Sequence, residues 1–229
     1  MNRVIILAAG EGKRIGGEIP KQFIKVYDKP ILAYTIEAFN SHSLIDSIII
    51  VCSADYVPTV KSIVHEYKLN KVSDIVLGGK ERYESCQSAL CMCNNKDDIL
   101  LFHDGARPLV NHRIITDCLN SMKQYDAVTV AVPTTDTIYM TNESSCITSI
   151  PTRSFMRNAQ TPQCFRQHII KEAYRLAIND SNFIPTDDCC VVNKYIPTCN
   201  IFIVNGESQN FKITYKEDLD LFKKIISVN

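Results

Sequence analysis

Val4-Ile-Ile-Leu-Ala-Ala-Gly-Glu-Gly-Lys-Arg-Ile-Gly-Gly-Glu-Ile-Pro-Lys21 runs from an apolar segment straight into a glycine-rich, cationic loop. Val4–Ala9 is short, continuous and rich in β-branched residues, the pattern of a strand buried on both faces. Gly10 and Gly12 let the backbone approach a ligand closely and turn amides toward it. Lys13, Arg14 and Lys21 supply positive charge, enough to neutralise a triphosphate. In an open α/β sheet, the crevice beyond the carboxyl end of such a strand is where ligands bind. The loop is not the dinucleotide fingerprint, because its third glycine is misplaced. It is not a P-loop either, because Gly-Lys-Ser/Thr is absent.

Similar apolar runs recur at Ile48–Cys52, Ile75–Leu77, Ile99–Phe102, Ala127–Val132 and Ile201–Val204. Helical spacing lies between and after them. Leu32, Ile36 and Phe39 share one face, as do Ile115, Leu119 and Met122 after a cap at Asn111, and Ile170, Tyr174 and Ala177. Thr214 and Glu217 have capping-box spacing ahead of Leu219, Phe222 and Ile226. Strands alternating with helices predict an α/β fold with a mostly parallel sheet and helices on both faces. Residues 136–157 break the alternation. They are polar and β-prone, with a turn signal at Asn142-Glu-Ser-Ser145, and predict a hairpin. A hairpin this polar builds no core of its own, so it is expected to pack on a partner subunit; the plainer alternative is a solvated loop. No repeat or linker interrupts the chain, so residues 1–229 are read as a single domain.

Lysine and arginine together number 25, and so do aspartate and glutamate. A neutral chain is not a nucleic-acid binder driven by bulk charge, so any polyanion must be held by a few placed cations. No apolar run approaches the roughly 20 residues of a membrane span, and Val4–Ala9 is too short for a signal-peptide core. The expected location is the cytoplasm. The ten cysteines include no Cys-x-x-Cys pair, and are expected to be reduced thiols serving as small apolar residues. The five histidines show no metal-ligand spacing.

The order Leu-Ala-Ala-Gly-x-Gly-x-Arg followed by Pro-Lys-Gln-Phe resembles the cytidylyltransferases that act on methylerythritol phosphate and on ribitol phosphate, within the sugar-phosphate nucleotidyltransferase superfamily. Further segments follow in the same order along nearly the whole chain: Gly78-Gly-Lys-Glu-Arg-Tyr-Glu-Ser85, His103-Asp-Gly-Ala-Arg-Pro108, Asp136-Thr-Ile138, Arg153, Gln160-Thr-Pro-Gln163, Thr186-Asp-Asp188 and Asn210-Phe-Lys-Ile-Thr214. The resemblance implies a Rossmann-like sheet with a protruding β-hairpin arm that forms a homodimer. It implies that Ala8, Ala9, Gly10, Gly12, Lys13, Gly79, Arg82 and Ser85 hold CTP, and that Asp104, at a strand end, binds Mg²⁺. By the same resemblance Arg14, Lys21 and Lys212 are catalytic. Arg107, Thr137, Arg153 and Thr161 would meet the acceptor, with Thr137 and Arg153 reaching across the dimer. Asp187 and Asp188 are read as cap and supporting groups.

The implied reaction is attack by an acceptor phosphate on the α-phosphorus of CTP, with pyrophosphate leaving. Two segments favour D-ribitol 5-phosphate as the acceptor. Asp136-Thr-Ile-Tyr139 lacks a basic residue common in methylerythritol enzymes, and Ile150-Pro-Thr-Arg153 is closer to the ribitol group. Thr186-Asp-Asp188 and Glu81-Arg-Tyr-Glu-Ser85 favour the alternative, 2-C-methyl-D-erythritol 4-phosphate. Two readings of other classes stand beside these. One is a dinucleotide-dependent oxidoreductase, for which Asp55 is the only acidic candidate. The other is an inactive scaffold, which the joint presence of Arg14, Lys21, Asp104 and Lys212 opposes.

Overall fold

The computed structural model of the chain describes residues 1–10, 19–180 and 185–228. In chain order the strands are β1 (Asn2–Leu7), β2 (Lys25–Val26), β3 (Lys29–Pro30), β4 (Ser47–Cys52), β5 (Val72–Leu77), β6 (Ile99–Asp104), β7 (Ala127–Pro133), β8 (Met140–Thr141), β9 (Ile147–Ser149), β10 (Arg157–Arg166) and β11 (Ile201–Asn205). The helices are α1 (Ile31–Asn40), α2 (Val57–Glu66), α3 (Arg82–Cys91), α4 (His112–Ser121), α5 (Gln167–Ala177), α6 (Asp188–Tyr195) and α7 (Lys216–Ile226).

Seven strands form one sheet in the order β11-β7-β10-β6-β1-β4-β5. All neighbours are parallel except β10, which is antiparallel to both β6 and β7. Strand side chains alternate between the two faces. Val4 and Ile6 join the core beneath α1, α2 and α4, while Ile5 joins the core beneath α3, α5 and α6. Both layers are apolar, which is why these strands read as continuous hydrophobic runs. A third cluster, Val26, Ile31, Ile213, Leu219 and Phe222, seats α7.

Strands β2, β3 and β10 and helices α2, α3 and α6 were not legible as apolar runs or repeats. Strand β10 carries Pro162, which argues against a central strand because proline donates no ladder hydrogen bond. The structure resolves the conflict: the β10–β7 register shifts between Gln160 and Gln163, so Thr161 and Pro162 sit in the irregularity. Helix α2 buries only Val60 and Ile63, too few to announce its period. At the start of α7 the predicted box shifts by one residue. The Asp218 carboxylate, not Glu217, accepts the backbone N–H of Thr214 and Tyr215, each at 2.8 Å. The cap at Asn111 is as expected, its side chain accepting from Ile114 N at 3.0 Å.

The arm is a hairpin whose ladder is confined to its tip, Met140 opposite Ser149 and Thr141 opposite Ile147. Asn142 Oδ1 closes the turn by accepting from Ser144 N and Cys146 N. Every residue from 135 to 150 is exposed. All ten cysteines are free thiols, and five are buried. Among the described residues, no helix is long and apolar enough to cross a membrane.

Candidate active site

The chain runs from β1 to β4 and β5 on one side, then places β6 on the other side of β1. This reversal opens a crevice at the carboxyl ends of β1 and β6. A cavity of about 670 Å³ occupies it. Among the described residues its wall comes from four stretches: Leu7–Gly10, Lys21 and Gln22; Gly79–Arg82 with Ser85; Asp104–Ala106; and Lys212. Of the predicted nucleotide residues, Ala8, Ala9, Gly10, Gly79, Arg82 and Ser85 therefore meet around one space. Gly12, Lys13 and Arg14 lie outside the described residues.

Gln22, which the sequence reading did not single out, is buried. Its Nε2 donates to Ala8 O at 2.7 Å and to Gly10 O at 2.9 Å, tying the start of the glycine loop to its end. A glutamine after Pro-Lys carries no local sign of this role. Gly79 is required by a close approach: a Cβ there would lie 2.3 Å from Glu84 Cβ. Glu84 in turn accepts from Glu81 N at 2.9 Å and caps α3. The amino-terminal turn of α3 lines the cavity through Glu81, Arg82 and Ser85, where the helix dipole favours an anion.

Asp104, the last residue of β6, has cations on both of its oxygens. Oδ2 is 3.1 Å from Lys212 Nζ and 3.2 Å from Arg107 Nε, and Oδ1 is 3.9 Å from Arg82 Nε. Burial by itself would raise the carboxyl's pKa. Lys212, Arg107 and Arg82 outweigh it and hold the group well below the ordinary carboxylate range. Lys212 is not on a strand; residues 211–214 are irregular. They are placed by Ile213 N donating to Ala106 O and by Arg107 Nη1 donating to Asn210 O, both at 2.9 Å. Arg107 therefore orients Asp104 and fastens the segment that presents Lys212.

Thr161 is placed differently from the expectation that it faces the acceptor. It is buried, and its Oγ1 accepts from Asp104 N at 3.2 Å and lies 2.8 Å from His103 Nδ1. His103 Nε2 lies 3.1 Å from the Arg107 carbonyl, which can only accept. Nε2 therefore carries the proton, and Nδ1 accepts from the Thr161 hydroxyl. The chain Asp104 N–H, Thr161, His103, Arg107 carbonyl sets the backbone beneath the carboxylate.

Burial brings the His103 pKa down to about 4 from its ordinary 6.5. Between those values the unfolded chain takes up a proton that the native state refuses, so stability falls as pH drops through this window and levels off below it. The loss amounts to about 3 kcal/mol, taking 1.36 kcal/mol per pKa unit. Urea unfolding in metal-free buffer from pH 7 to 4 is expected to show this slope in the native protein and a shallower one in His103→Gln. Equal slopes would refute the assignment.

Arg82 lines the cavity but gives Nη2 to Asp188 at 2.6 Å. Ser85 is buried at the wall, its Oγ 3.4 Å from Glu81 O. Thr137 and Arg153 lie on the exposed arm, and neither lines the cavity; Arg153 donates to Thr135 O at 3.3 Å. Asp187 caps α6 by accepting from Cys190 N at 2.7 Å, as expected. Asp55, on which a dinucleotide enzyme would depend, is not in the cavity wall.

The model of the family described as "IspD: 2-C-methyl-D-erythritol 4-phosphate cytidylyltransferase" matches residues 3–227. The 2-C-methyl-D-erythritol 4-phosphate cytidylyltransferase of Clostridium botulinum (strain Loch Maree / Type A3) is 38% identical over 225 residues, covering 98% of this chain and 97% of that protein. The protein of the same name from Thermobifida fusca (strain YX) is 38% identical over 227 residues, covering 96% and 91%. The crystal structure of 4-diphosphocytidyl-2C-methyl-D-erythritol synthase from Anaerococcus prevotii DSM 20548 superposes with a TM-score of 0.87 at 26% identity, covering 98% of this chain and 97% of that one. A sheet that switches direction at β1, a cavity walled by the glycine loop, Asp104 and Lys212, and full-length similarity agree: the chain belongs to the 2-C-methyl-D-erythritol 4-phosphate cytidylyltransferase family, nucleotidyltransferases that use CTP.

Proposed function

We propose that this chain transfers the cytidylyl group of CTP to 2-C-methyl-D-erythritol 4-phosphate. The observation that carries the proposal is the meeting of Lys21, Lys212 and Asp104 in one cavity with the amino-terminal turn of α3. An oxygen of the acceptor phosphate attacks the α-phosphorus of CTP. The bond from that phosphorus to the bridging oxygen breaks, and pyrophosphate leaves with the electron pair. A phosphate dianion is already a nucleophile, so catalysis is positioning and charge stabilisation. Lys21 and Lys212 neutralise the charge that builds on the pentacoordinate phosphorus, with Arg14 of the opening loop as their proposed third. Gly79 and Ser85, with the amides at the start of α3, hold the nucleotide.

The donor set fits Mg²⁺. Magnesium is usually bound through one or two carboxylates plus substrate phosphates. Asp104 is a buried, ionised carboxylate, and among the described residues Arg82 Nε, at 3.9 Å, is the cation nearest its Oδ1. Asp104 would hold the ion, which would supply positive charge to the phosphates of the nucleotide.

The preference for D-ribitol 5-phosphate and a CDP-ribitol product rested on two segments of the arm. Full-length relatives 38% identical to this chain carry the methylerythritol name instead, which supports the alternative. We also propose that the arm packs on a second copy in the cytoplasm. Ile138, Tyr139, Met140, Ile147, Ile150 and Phe155 are exposed along it, and packing there would carry Thr137 and Arg153 to the partner's acceptor site.

Pyrophosphate release from CTP and Mg²⁺ with each acceptor tests the assignment. The kcat/KM with 2-C-methyl-D-erythritol 4-phosphate is expected to exceed that with D-ribitol 5-phosphate by at least about tenfold, the scale on which shaped pockets separate analogues. Equal or reversed preference overturns the acceptor, and release with neither overturns the transfer.

A further inference from the structure

Arg82 sits between two carboxylates. Asp104 Oδ1 is 3.9 Å from its Nε, while Asp188 Oδ2 accepts from its Nη2 at 2.6 Å. The Arg82 side chain reaches the cavity and is 28% exposed; that of Asp188 is fully buried. Behind Asp188, the Tyr174 hydroxyl donates to Oδ1 at 2.6 Å, so both carboxylate oxygens are engaged. The amino terminus of α6, which carries Asp188, is fastened to β10. Gln163 Oε1 accepts from Asp188 N at 3.1 Å and Cys189 N at 3.3 Å, and Gln163 Nε2 donates to Asp187 at 2.7 Å.

A buried ion pair is a poor source of stability, because desolvation costs as much as attraction returns. Its distinctive effect is to fix one geometry. Here the fixed object is a guanidinium at the wall of the cavity, with a second carboxylate close enough to capture it. We propose that Asp188, braced by Tyr174 and Gln163, is a positioning residue that holds Arg82 toward the nucleotide and away from Asp104. The inference rests on the reading of the cavity as the CTP site. Gln163 and Asp188, from two segments outside the cavity wall, thereby act on the site through Arg82. Without the Asp188 charge, Arg82 falls toward Asp104. It is then lost to the nucleotide, and it occupies the carboxylate proposed to hold the metal.

Calorimetric titration with CTP and Mg²⁺ tests this, with thermal unfolding as a check on folding. Asp188→Asn is expected to weaken CTP binding by about tenfold, the scale of a lost charged hydrogen bond. Tyr174→Phe keeps the charge and weakens binding by about threefold, and it carries the test alone if Asp188→Asn does not fold. The decisive comparison is made in an Arg82→Met background, where both effects should vanish because Asp188 acts only through Arg82. Losses that persist there, or variants that bind like the native protein, overturn the inference. A native protein that binds no CTP overturns the nucleotide reading as well, so the two failures are distinguishable.

Discussion

Lys21→Ala is expected to lower kcat by about 100-fold or more, because single groups aimed at developing transition-state charge typically carry that much. The reason lies in how the lysine is held. It begins a short 3-10 turn, Lys21–Phe23, directly after Pro20. The next residue, Gln22, is tied to Ala8 and Gly10. The one after it, Phe23, is buried and stacked on Tyr56 with ring centroids 4.4 Å apart and planes 7° from parallel. The backbone carrying Lys21 is therefore fixed before substrate arrives, and a preorganised charge costs no reorganisation during reaction. Lys21→Arg should recover part of the rate, since it keeps the charge but not the compact geometry. Lys25→Ala, an exposed lysine four residues on, should be near normal. Pyrophosphate-release kinetics measure all three, and near-normal turnover of Lys21→Ala would remove this lysine from the mechanism. The same size of effect is expected for Arg14→Ala on the strength of the family resemblance.

Asp104→Asn should act on both rate and stability. The amide keeps the volume but removes the proposed metal ligand, and turnover is expected to fall by at least about 100-fold, as metal contributions reach several kcal/mol. It also leaves Arg107 and Lys212 without the carboxylate that now lies 3.2 and 3.1 Å away. Breaking a buried pair from one side costs about 3–5 kcal/mol. The Lys212 side chain is 39% exposed and its share is screened, so about 2 kcal/mol is the expected loss in urea unfolding at pH 7. The pH dependence follows from the sign of the shift. The native pKa of Asp104 is depressed, so its stabilisation is complete above the ordinary carboxylate value near 3.8 and is lost as pH falls toward the native value. The gap between native protein and variant should hold from pH 7 to about 4 and narrow only below. Full turnover in Asp104→Asn would exclude the carboxylate from the reaction.

The central layers of the fold were legible because burial on both faces forces the strands into continuous apolar runs. Strands β1, β4, β6 and β7 were each visible in this way; the edge strands β5 and β11 were also visible as apolar runs, although they are only partly buried. Strand β10 was hidden by Gln160, Thr161, Pro162 and Gln163, polar or ladder-breaking residues whose partners come from distant segments. The polar arm was visible through its turn residues. Its register was not, because a strand exposed on both faces has no burial pattern to fix it.

The site divides along the same line. The sequence alone determined that a glycine loop with cations follows the first buried strand and that Asp104 ends another. Both are local consequences of chain order, and any parallel sheet built from these runs brings such strand ends to one edge, while the crevice itself depends on where the strand order reverses. Only the tertiary structure decided what each side chain faces. Arg82 is held by Asp188, 106 residues away, and Arg107 by the carbonyl of Asn210, 103 residues away. Thr161, expected at the acceptor, turns inward to His103, 58 residues away. Such pairings are set by which helix and strand ends meet across the sheet. A buried polar group must take the partner that packing brings within reach, and no local spacing encodes that partner.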